Sequence, residues 1–396
     1  MGPPIPRGLL ESVVAGDLPR ARTLPPQAYT AIEVFDWEVE HFFERSWVCV
    51  GRGEDLVREG DQRAVRIGKE GVLLIRAKDG SLTAVSNVCR HRAHELLEAG
   101  TTRNARVIKC PYHGWVYDLS GRLSASPRFH DVPGFDRSEF PLVPVGVEDW
   151  HGWIFVDASG DAPPLTSHVG NLGELVAPWA PEGLVSAARQ AYTVRANWKT
   201  ITENYHECYH CTSIHPELCR VTPPDSGRNI EHTGAWVGGT MALRDHAETM
   251  SLSGESRGGR LPGLTEDQGR EVHYYGLFPN LLLSLHPDYV LTHRLDPVAP
   301  GETVVECEWL FPPEVRDRPG FDPSYAVEFW DVTNKQDWAA CESVFRGLSS
   351  RGARQGPFTW TEDEVQLFMA LVARGYLEGR VTTDAHAVAG ADGSSL

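Results

Sequence analysis

Two mixed cysteine–histidine pairs restrict this sequence more than any other feature. The first is Cys89-Arg-His91, and after 18 further residues comes Cys110-Pro-Tyr-His113. The members of each pair are so close in sequence that each pair must lie on one short loop. Two thiolates and two imidazoles are together enough to hold a metal centre. The chain must therefore fold so that two loops bring these four side chains together.

The spacing of the pairs distinguishes two kinds of centre. Common zinc fingers pair cysteine with cysteine and histidine with histidine, so a structural zinc knuckle is the weaker alternative for C-x-H … C-x2-H. The same arrangement fits a Rieske [2Fe–2S] cluster, in which the thiolates hold one iron and the imidazoles hold the other. Imidazole ligands raise the reduction potential, to roughly −150 to +300 mV. The motif therefore predicts an electron-transfer centre.

Short β-rich runs surround this motif. From Trp47 to about Asp157 they alternate with Gly, Asp and Asn turns, which is typical of a small antiparallel β domain. Further along the chain, we expect a polar loop over 244–270 and strands over 272–311. Amphipathic patterns predict helices over three other stretches: 30–45, 323–348 and 361–378.

The composition argues against two classes of partner. The net charge of −17 argues against nucleic acid, because phosphate binding requires clustered Lys and Arg. No segment approaches the roughly 20 apolar residues that span a bilayer, and the first residues lack the pattern of a signal peptide. We therefore expect a cytoplasmic protein with no membrane partner and no nucleic-acid partner.

The run ENYHECYHCTSIHP at 203–216 holds a second concentration of possible ligands. Asn197 is a suitable N-cap, so we expect a helix that begins just after it. Glu203, Glu207 and His210 have the i, i+4, i+7 spacing that places side chains on one face of such a helix. The pattern therefore predicts that these three side chains point in the same direction.

Pro216 bears on how the histidines of this run can act together. It disfavours helical backbone at His215, so we expect the helix to end after His210 and His215 to turn back toward it. Two imidazoles and one carboxylate from elsewhere form a facial triad for Fe(II), with positions left open for O2. The amphipathic helix predicted over 331–347 offers three carboxylates among which spacing cannot choose: Asp331, Asp337 and Glu342.

The same run contains a C-x-x-C sequence, Cys208 and Cys211. A redox-active pair lies at a helix N-terminus, where the helix dipole stabilises the thiolate. Because this pair is predicted near the C-terminal end of its helix, we interpret both residues as buried structural thiols. His206 lies off the face predicted for His210, and we interpret it as a local hydrogen-bonding residue.

The motifs CRHRAHEL and CPYHGWVYDLSG resemble the Rieske domain of the Rieske-type non-heme iron oxygenases, the ring-hydroxylating oxygenase α subunits. The resemblance extends over most of the chain and implies two cofactors, a Rieske [2Fe–2S] cluster and a mononuclear Fe(II). It implies that the four residues of the two pairs hold the cluster: Cys89, His91, Cys110 and His113.

The resemblance also implies roles at the second site. The family carries its third iron ligand in an Asp-Trp…Cys-Glu context that matches Asp337, which would join His210 and His215. An acidic residue three positions before the first iron histidine bridges in the family to a Rieske histidine of a neighbouring subunit, and here it is Glu207. The implied electron path runs from His113 of one subunit through Glu207 of the next, which requires an oligomer, usually a homotrimer.

The fold that the resemblance implies is α+β. A small antiparallel β Rieske domain is inserted in a larger catalytic domain, whose antiparallel sheet is covered by helices in a helix-grip, START-like arrangement. Four segments are expected in order: an N-terminal segment packed on the catalytic domain over 1–45, the Rieske domain over 46–158, the catalytic iron domain over 159–380 and a flexible tail over 381–396.

The glutamate at 207 makes the chain similar to the family's enzymes for quaternary ammonium compounds, such as glycine betaine, carnitine and stachydrine. The expected function is a terminal oxygenase that uses O2 and N-demethylates such a substrate. Its electrons would come from a separate NAD(P)H-dependent flavin or iron–sulfur reductase, with or without a ferredoxin. The alternatives are an aromatic ring hydroxylase or O-demethylase and, more distantly, a Rieske electron carrier with a structural zinc site. Five aromatic residues are candidates for the pocket wall: Trp236, Tyr274, Tyr275, Phe278 and Tyr289.

Overall fold

The computed structural model describes residues 4–14 and 18–383. The chain divides into two compact units, one formed by Val39–Leu165 and one by Met1–Glu38 together with Thr166–Leu396. The first unit is thus inserted in the sequence of the second, as the resemblance implied. Both units are built on antiparallel sheets and the second also carries long helices, which confirms the α+β class. Of the predicted tail 381–396, residues 384–396 lie outside the described residues.

The regular structure of the unit Val39–Leu165 is mainly short antiparallel strands. A seven-stranded sheet has the order β1-β10-β9-β4-β3-β2-β5, and a small sheet has the order β6-β7-β8. The strands are β1 Trp47–Arg52, β2 Asp61–Ile67, β3 Glu70–Arg76, β4 Leu82–Ser86, β5 Thr102–Asn104, β6 Ile108–Lys109, β7 Val116–Tyr117, β8 Leu123–Ala125, β9 Pro144–Trp150 and β10 Trp153–Asp157.

The larger unit contains a second antiparallel sheet, of the order β11-β17-β16-β15-β14-β13-β12. Consecutive strands from β12 to β17 are neighbours in this sheet, and β11 lies at one edge beside β17. The strands are β11 Val185–Val194, β12 Arg228–Asn229, β13 Trp236–Ala242, β14 Glu271–Leu277, β15 Leu281–Leu285, β16 Val290–Ala299 and β17 Glu302–Phe311.

The helices of the chain belong almost entirely to the larger unit. They are α1 Arg7–Glu11, α2 Gln27–Thr30, α3 Ile32–Glu38, α4 Leu165–Val169, α5 Leu172–Val176, α6 Trp198–Tyr205, α7 Cys211–Ile214, α8 Pro216–Val221, α9 Pro313–Arg316, α10 Ser324–Leu348 and α11 Asp363–Glu378. The two helices predicted over 323–348 and 361–378 are therefore confirmed. The helix predicted over 30–45 is α-helical only as far as Glu38 and continues as a π-helical turn, Val39–Phe43.

The segment 244–270, predicted as a polar loop, has little regular structure but is not fully exposed. Ala247, Met250 and Leu261 are buried within it. The Oη of Tyr289 donates a hydrogen bond to the carbonyl of Met250 over 2.9 Å. This segment therefore contributes apolar side chains to the buried interior, although its composition is mostly polar.

Alternation along the central strands of the larger sheet decides which side chains reach the helices. Tyr274 in β14 pairs with Ser284 in β15, and Leu282 in β15 pairs with His293 in β16, so these four side chains share one face. Helix α10 covers this face, because the ring of its Trp330 lies 6.5 Å from that of Tyr274 and 6.2 Å from that of His293. No helix among residues 4–14 and 18–383 is long and apolar enough to cross a membrane.

Candidate metal centres and substrate pocket

The two cysteine–histidine pairs come together beside the small sheet. Cys89 and Cys110 are 2% and 1% exposed, and they belong to the hydrophobic core of their unit. The rings of His91 and His113 lie nearer the surface, with centroids 4.7 Å apart. The thiols therefore lie on the inner side of the site and the imidazoles on the outer side, which is the division of ligands that a Rieske cluster requires.

The surroundings of His91 test whether a cluster fits here. Its ring stacks on Trp115 at 4.9 Å and 8°, which fixes the orientation of the ring. Its Nδ1 is buried and has no hydrogen-bond partner among the described residues. A buried polar atom without a partner is costly, and a metal bond would satisfy it. The donor set and its geometry therefore fit the [2Fe–2S] group.

Tyr117 is a residue of this site that the sequence did not indicate. Its hydroxyl accepts a hydrogen bond from the backbone N–H of Arg90 over 3.0 Å and lies 3.3 Å from the Sγ of Cys89. Because the oxygen accepts from the backbone, its proton is free to point at the sulfur. Burial raises the pKa of Tyr117, so the phenol keeps this proton. Hydrogen bonds to the ligating sulfurs are one way in which a protein tunes such a cluster.

The second site brings together three residues that are far apart in sequence. The Nε2 of His215 lies 2.8 Å from the Oδ1 of Asp337 and 3.1 Å from the Nε2 of His210. His210 Nε2 is 3.4 Å from the same carboxylate oxygen. Within the described part of the chain, these three residues are the one group of three or more His, Cys, Asp or Glu side chains with ligand atoms converging on a single point. They offer the donors of a two-histidine, one-carboxylate iron site.

The outer nitrogens of both histidines have partners that fix how the rings face. The Nδ1 of His215 lies 2.7 Å from the Oε1 of Gln336, and the Nδ1 of His210 bonds to the Oε1 of Glu207. An acceptor at Nδ1 holds the proton there and leaves Nε2 free to ligate a metal. Gln336 is itself held, because its Nε2 donates to Glu217 over 3.2 Å. Sequence reasoning did not find Gln336, although it directly precedes Asp337.

Two carboxylates, those of Glu207 and Asp337, surround His210 with negative charge. Burial lowers its pKa, but hydrogen bonds to Asp337 and Glu207 outweigh this effect and raise the pKa to about 9. Burial raises the pKa of Asp337, and its bonds to the two histidines outweigh that effect, so the carboxyl stays ionised. This concentration of negative charge is also what a divalent iron requires.

The backbone that carries these ligands differs from the prediction in one respect. Asn197 does cap α6, and its side chain accepts from the backbone N–H of Lys199 over 3.1 Å. However, α6 ends at Tyr205, so Glu207 and His210 lie on the turn that follows it and do not share a helix face with Glu203. The predicted common face of the three residues is therefore wrong.

The other residues of the run ENYHECYHCTSIHP also have definite partners. Glu203 accepts a hydrogen bond from the hydroxyl of Tyr29 over 2.7 Å and takes no part in the metal site. His206 bonds to Glu364 over 2.6 Å, which agrees with its interpretation as a hydrogen-bonding residue. Cys208 and Cys211 form a disulfide, so the interpretation of this pair as thiols is wrong. The disulfide closes a short loop that contains His210, and this helps to fix the turn after α6.

A buried ion pair holds the first turn of helix α6. The Nζ of Lys199 lies 2.6 Å from the Oε1 of Glu38, and both side chains are fully buried. The Nε1 of Trp198 donates to the other carboxylate oxygen of Glu38 over 2.9 Å. Removing one member of a buried pair is strongly destabilising, because the other charge is left without a partner. The start of α6 is therefore held firmly, and the ligand-bearing turn begins from a fixed point.

A cavity of about 420 Å³ adjoins the second site. Its wall includes the metal-site residues and five Tyr or Trp side chains: Tyr205, Tyr209, Tyr274, Trp330 and Trp360. Of the five aromatic residues predicted for the pocket, Tyr274 alone lines this cavity. Strand alternation turns its neighbour Tyr275 to the opposite face of the sheet, and the other three are buried in the core: Trp236, Phe278 and Tyr289.

The inserted β unit with its Cys₂His₂ set and the helix-covered sheet with its His₂Asp set together define a class, the two-domain Rieske oxygenases. The chain belongs to the family of ring-hydroxylating oxygenase α subunits: residues 181–378 match the model of the ring hydroxylating α subunit catalytic domain, and residues 46–136 match the Rieske [2Fe-2S] domain. It is a Rieske non-heme iron oxidoreductase, and these domains imply a [2Fe–2S] cluster and a mononuclear iron.

Similar proteins include oxygenase subunits of carnitine and glycine betaine monooxygenases. The chain is 31% identical to the carnitine monooxygenase oxygenase subunit of Escherichia coli (strain K12), over 84% of this chain and 86% of that protein. It is 28% identical to the glycine betaine monooxygenase oxygenase subunit of Chromohalobacter salexigens, over 86% and 82%.

Solved structures agree on the fold. The quaternary ammonium Rieske monooxygenase CntA in complex with L-carnitine matches with a TM-score of 0.77 and 28% identity, over 94% of this chain and 99% of that chain. Naphthalene 1,2-dioxygenase from Rhodococcus sp. matches with a TM-score of 0.75, but at 19% identity that likeness concerns the fold alone.

Proposed function

We propose that this chain is the terminal oxygenase that N-demethylates a quaternary ammonium compound such as glycine betaine. In this proposal Cys89, His91, Cys110 and His113 hold the cluster. The observation that supports this proposal best is that His210, His215 and Asp337 have ligand atoms within 4.8 Å of one another, at the wall of a cavity of about 420 Å³ that could hold a small molecule. We also retain the predicted domain boundaries: 1–45, 46–158 and 159–380.

The chemistry of the cavity supports a cationic substrate. The carboxylates of Glu207 and Asp337 lie in its wall, and so do the rings of Tyr205, Tyr274 and Trp330. A quaternary ammonium is attracted to the faces of aromatic rings by the cation–π interaction, and it has no N–H that would need a hydrogen-bond acceptor. The names of the relatives, glycine betaine and carnitine monooxygenase oxygenase subunits, support the same substrate class.

The side chains of this chain would orient the substrate and exclude water. Glu207 and Gln336 hold the Nδ1 protons of the two histidines, so that both rings keep their Nε2 atoms toward the metal position. The aromatic walls would hold one N-methyl group toward that position. An iron held by His210, His215 and Asp337 would supply the activation of O2, with electrons from a cluster held by the four Rieske ligands.

The overall reaction has a simple balance. One N-methyl group, O2, two electrons and two protons give an N-hydroxymethyl ammonium and one water. This product releases formaldehyde and a proton and leaves the demethylated tertiary amine. The chain has no dinucleotide-binding sequence of its own that we identified, so the electrons would come from a separate NAD(P)H-dependent reductase.

Glu207 is the proposed link between the two centres. We propose a homotrimer in which His113 of one subunit approaches Glu207 of the next, since Glu207 already contacts the iron-site residue His210. Cytoplasmic localisation stays a prediction.

A substrate screen tests the proposed function. The holoenzyme with a competent reductase is supplied with glycine betaine, L-carnitine, simple arenes and aryl methyl ethers, and O2 uptake, formaldehyde and hydroxylated products are measured. We expect O2 uptake with stoichiometric formaldehyde from a betaine and none from the arenes. Coupled oxidation of an arene or ether with no reaction of any betaine would instead establish the ring-hydroxylase or O-demethylase alternative.

A further inference from the structure

The disulfide between Cys208 and Cys211 lies directly beside the candidate iron site. Cys208 follows the proposed electron link, Glu207, in the chain. Cys211 follows the first iron-site histidine, His210, and both cysteines lie in the wall of the cavity. The proposed function assigns no role to either cysteine. A change in the covalent state of this pair would act directly on the segment that carries His210.

The backbone around the pair forms a turn that does not depend on the bond between the sulfurs. The N–H of Cys211 donates to the carbonyl of Cys208 over 3.1 Å, and the two Cα atoms are 4.8 Å apart, as in a four-residue β-turn. The N–H of His210 also donates to the Oε2 of Glu207 over 3.1 Å. These hydrogen bonds would keep the two thiols of a reduced form close together. The bridge can therefore open and close with the same fold around it.

Access from the cavity distinguishes this pair from most other cysteines of the chain. Cys208 is partly exposed, and both members of the pair line the cavity. Cys49, Cys307 and Cys341 are buried and lie outside the cavity wall. The cysteines that react with oxidants and other thiols are those that small molecules can reach. An oxidant or a reductant that enters the cavity would therefore meet this pair before the buried thiols.

The helix that disfavoured redox chemistry at this pair is shorter than predicted. The sequence indicated a position near the C-terminal end of the helix, where the dipole opposes a thiolate. In the structure α6 ends at Tyr205, before Cys208, and Cys211 is the first residue of α7. The pair therefore lies in a turn between two helices, and the dipole of α6 does not act against it in this way. In the cytoplasm, the compartment predicted for this chain, disulfides are uncommon and are usually catalytic or redox-sensing.

We propose that Cys208 and Cys211 form a reversible redox site that fixes the turn of His210 when it is oxidised. The oxidant is hydrogen peroxide, the product of O2 reduction by two electrons and two protons when no substrate is hydroxylated. The two thiols give two electrons and two protons to the peroxide, an S–S bond forms, the O–O bond breaks and two waters leave. A dithiol reductant restores the thiols by exchange and becomes a disulfide itself.

The two states should differ in how firmly iron is held. The N–H of His215 donates to the carbonyl of Cys211 over 2.9 Å, so the pair is linked through the backbone to both histidines of the site. A turn that is already fixed loses less freedom when its ligand binds a metal, and the oxidised form should therefore bind iron more tightly. This inference rests on the proposed function, because the iron and the reduction of O2 are both assigned there. It adds an oxidation site that regulates the retention of that iron.

Anaerobic equilibration of the holoenzyme with mixtures of reduced and oxidised dithiothreitol tests the redox site. Free thiols are trapped with iodoacetamide, and peptide mass spectrometry measures the alkylated fractions of Cys208 and Cys211. We expect both fractions to rise together from none to all as the reduced form of dithiothreitol increases. When the reductant is removed and excess hydrogen peroxide is added before trapping, the bridge should form again. A pair that stays bridged in excess reductant, or stays free after peroxide, would overturn the redox site.

Chelator competition on the same samples, after removal of dithiothreitol, measures how tightly the mononuclear iron is held. We expect the dissociation constant for iron to be about 10-fold higher in the reduced wild type than in the oxidised wild type. Cys208→Ser cannot form the bridge and should keep the weaker binding under both conditions. Cys219→Ser is the matched control, because the thiol of Cys219 lies 3.4 Å from the carbonyl of Cys211 but is not part of the bridge. This variant should keep the 10-fold difference between the two states.

The outcomes separate this inference from the proposed function. Equal iron binding by the oxidised and reduced wild type would overturn the effect of the pair on His210, and the proposed function would stand if a betaine is still demethylated. Loss of the difference in Cys219→Ser as well as in Cys208→Ser would also count against the bridge. If the wild type holds no mononuclear iron in either state and demethylates no betaine, the proposed function fails and this inference fails with it.

Discussion

The two metal centres of this chain are built in opposite ways. In the Rieske unit, all four ligands lie between Cys89 and His113 on two loops, and they pack on a hydrophobic core formed by residues of the same unit, from Ala64 to Leu142. In the catalytic unit, the ligands are far apart in sequence, from His210 to Asp337. The segment after α6 must pack correctly against α10 before their side chains meet. The first is a local motif, and the second is a product of tertiary structure.

The difference extends to how each centre is supported. Buried core residues surround the thiols of the first centre, and Tyr117 is the one side chain near them that we identify as tuning the sulfur of Cys89. At the second centre, each histidine is oriented by a hydrogen bond from its Nδ1–H to an oxygen of Glu207 or Gln336. Substitutions at more positions should therefore weaken the second centre, including positions that do not supply a metal ligand. The predictions below test this contrast, beginning with the largest effect.

Replacing Asp337 with alanine should have the largest effect, because it removes a ligand and leaves the two histidines without their carboxylate. We expect turnover to fall by more than the roughly 10- to 100-fold that follows the loss of an outer partner, and mononuclear iron to be depleted. The visible spectrum of the Rieske cluster should not change. Asp331→Ala is the matched control, since Asp331 lies on the same helix but bonds to Tyr192 and Gln190. Equal losses in both variants would contradict the assignment.

Glu207→Gln should have the next largest effect, on electron transfer between subunits. The variant keeps a hydrogen-bond acceptor for His210 but loses the charge, so we expect the single-turnover rate to fall by about 10-fold or more while both centres stay loaded. Rapid mixing of the reduced protein with O2 and substrate measures this rate. An unchanged rate would remove Glu207 from the electron path.

Gln336→Leu tests whether the second centre depends on a residue that is not a ligand. Without the acceptor at Nδ1, the ring of His215 is no longer fixed with Nε2 toward the metal, and iron affinity should fall by about 10-fold. Chelator competition measures the affinity. Lys335→Leu is the control, because this exposed neighbour pairs with Asp331 and lies on the same helix as Gln336. Loss of iron in the control as well would mean that helix α10 itself had been disturbed.

Tyr117→Phe should have the smallest effect and should act at the first centre alone. Losing the hydrogen bond to Cys89 should lower the reduction potential of the cluster by roughly 50 mV, because this bond strengthens as the sulfur gains negative charge on reduction. Potentiometric titration followed by electron paramagnetic resonance measures the shift. Tyr112→Phe is the control. This exposed tyrosine lies between Cys110 and His113, and its substitution should leave the reduction potential unchanged.

The contrast between the centres also explains what could be predicted from the sequence. The two pairs, Cys89 with His91 and Cys110 with His113, indicated the first centre, because the spacing within each pair is local and is visible in the sequence. At the second, spacing could not distinguish Asp337 from Asp331 or Glu342, and the choice came from family resemblance. The packing of α10 determines which of its faces meets α6, and that packing depends on the whole unit.

Other misses have the same physical origin. The helix predicted through His210 ends at Tyr205, because the turn after it is fixed by the disulfide and by the bond of Glu207 to the backbone N–H of His210 over 3.1 Å. A helical repeat in the sequence carries no information about such constraints. The aromatic wall was predicted by residue type, whereas strand alternation selects Tyr274 and turns Tyr275 away.

Metal analysis of the purified holoenzyme tests the central claim most directly, because an oxygenase and an electron carrier differ in what the second centre holds. Iron, zinc and acid-labile sulfide are measured in the same sample. The oxygenase account predicts about three irons per chain, two in the cluster and one at the His210, His215 and Asp337 site, with no stoichiometric zinc. About two irons together with one zinc that Asp337→Ala releases would contradict it and would make the protein a Rieske electron carrier.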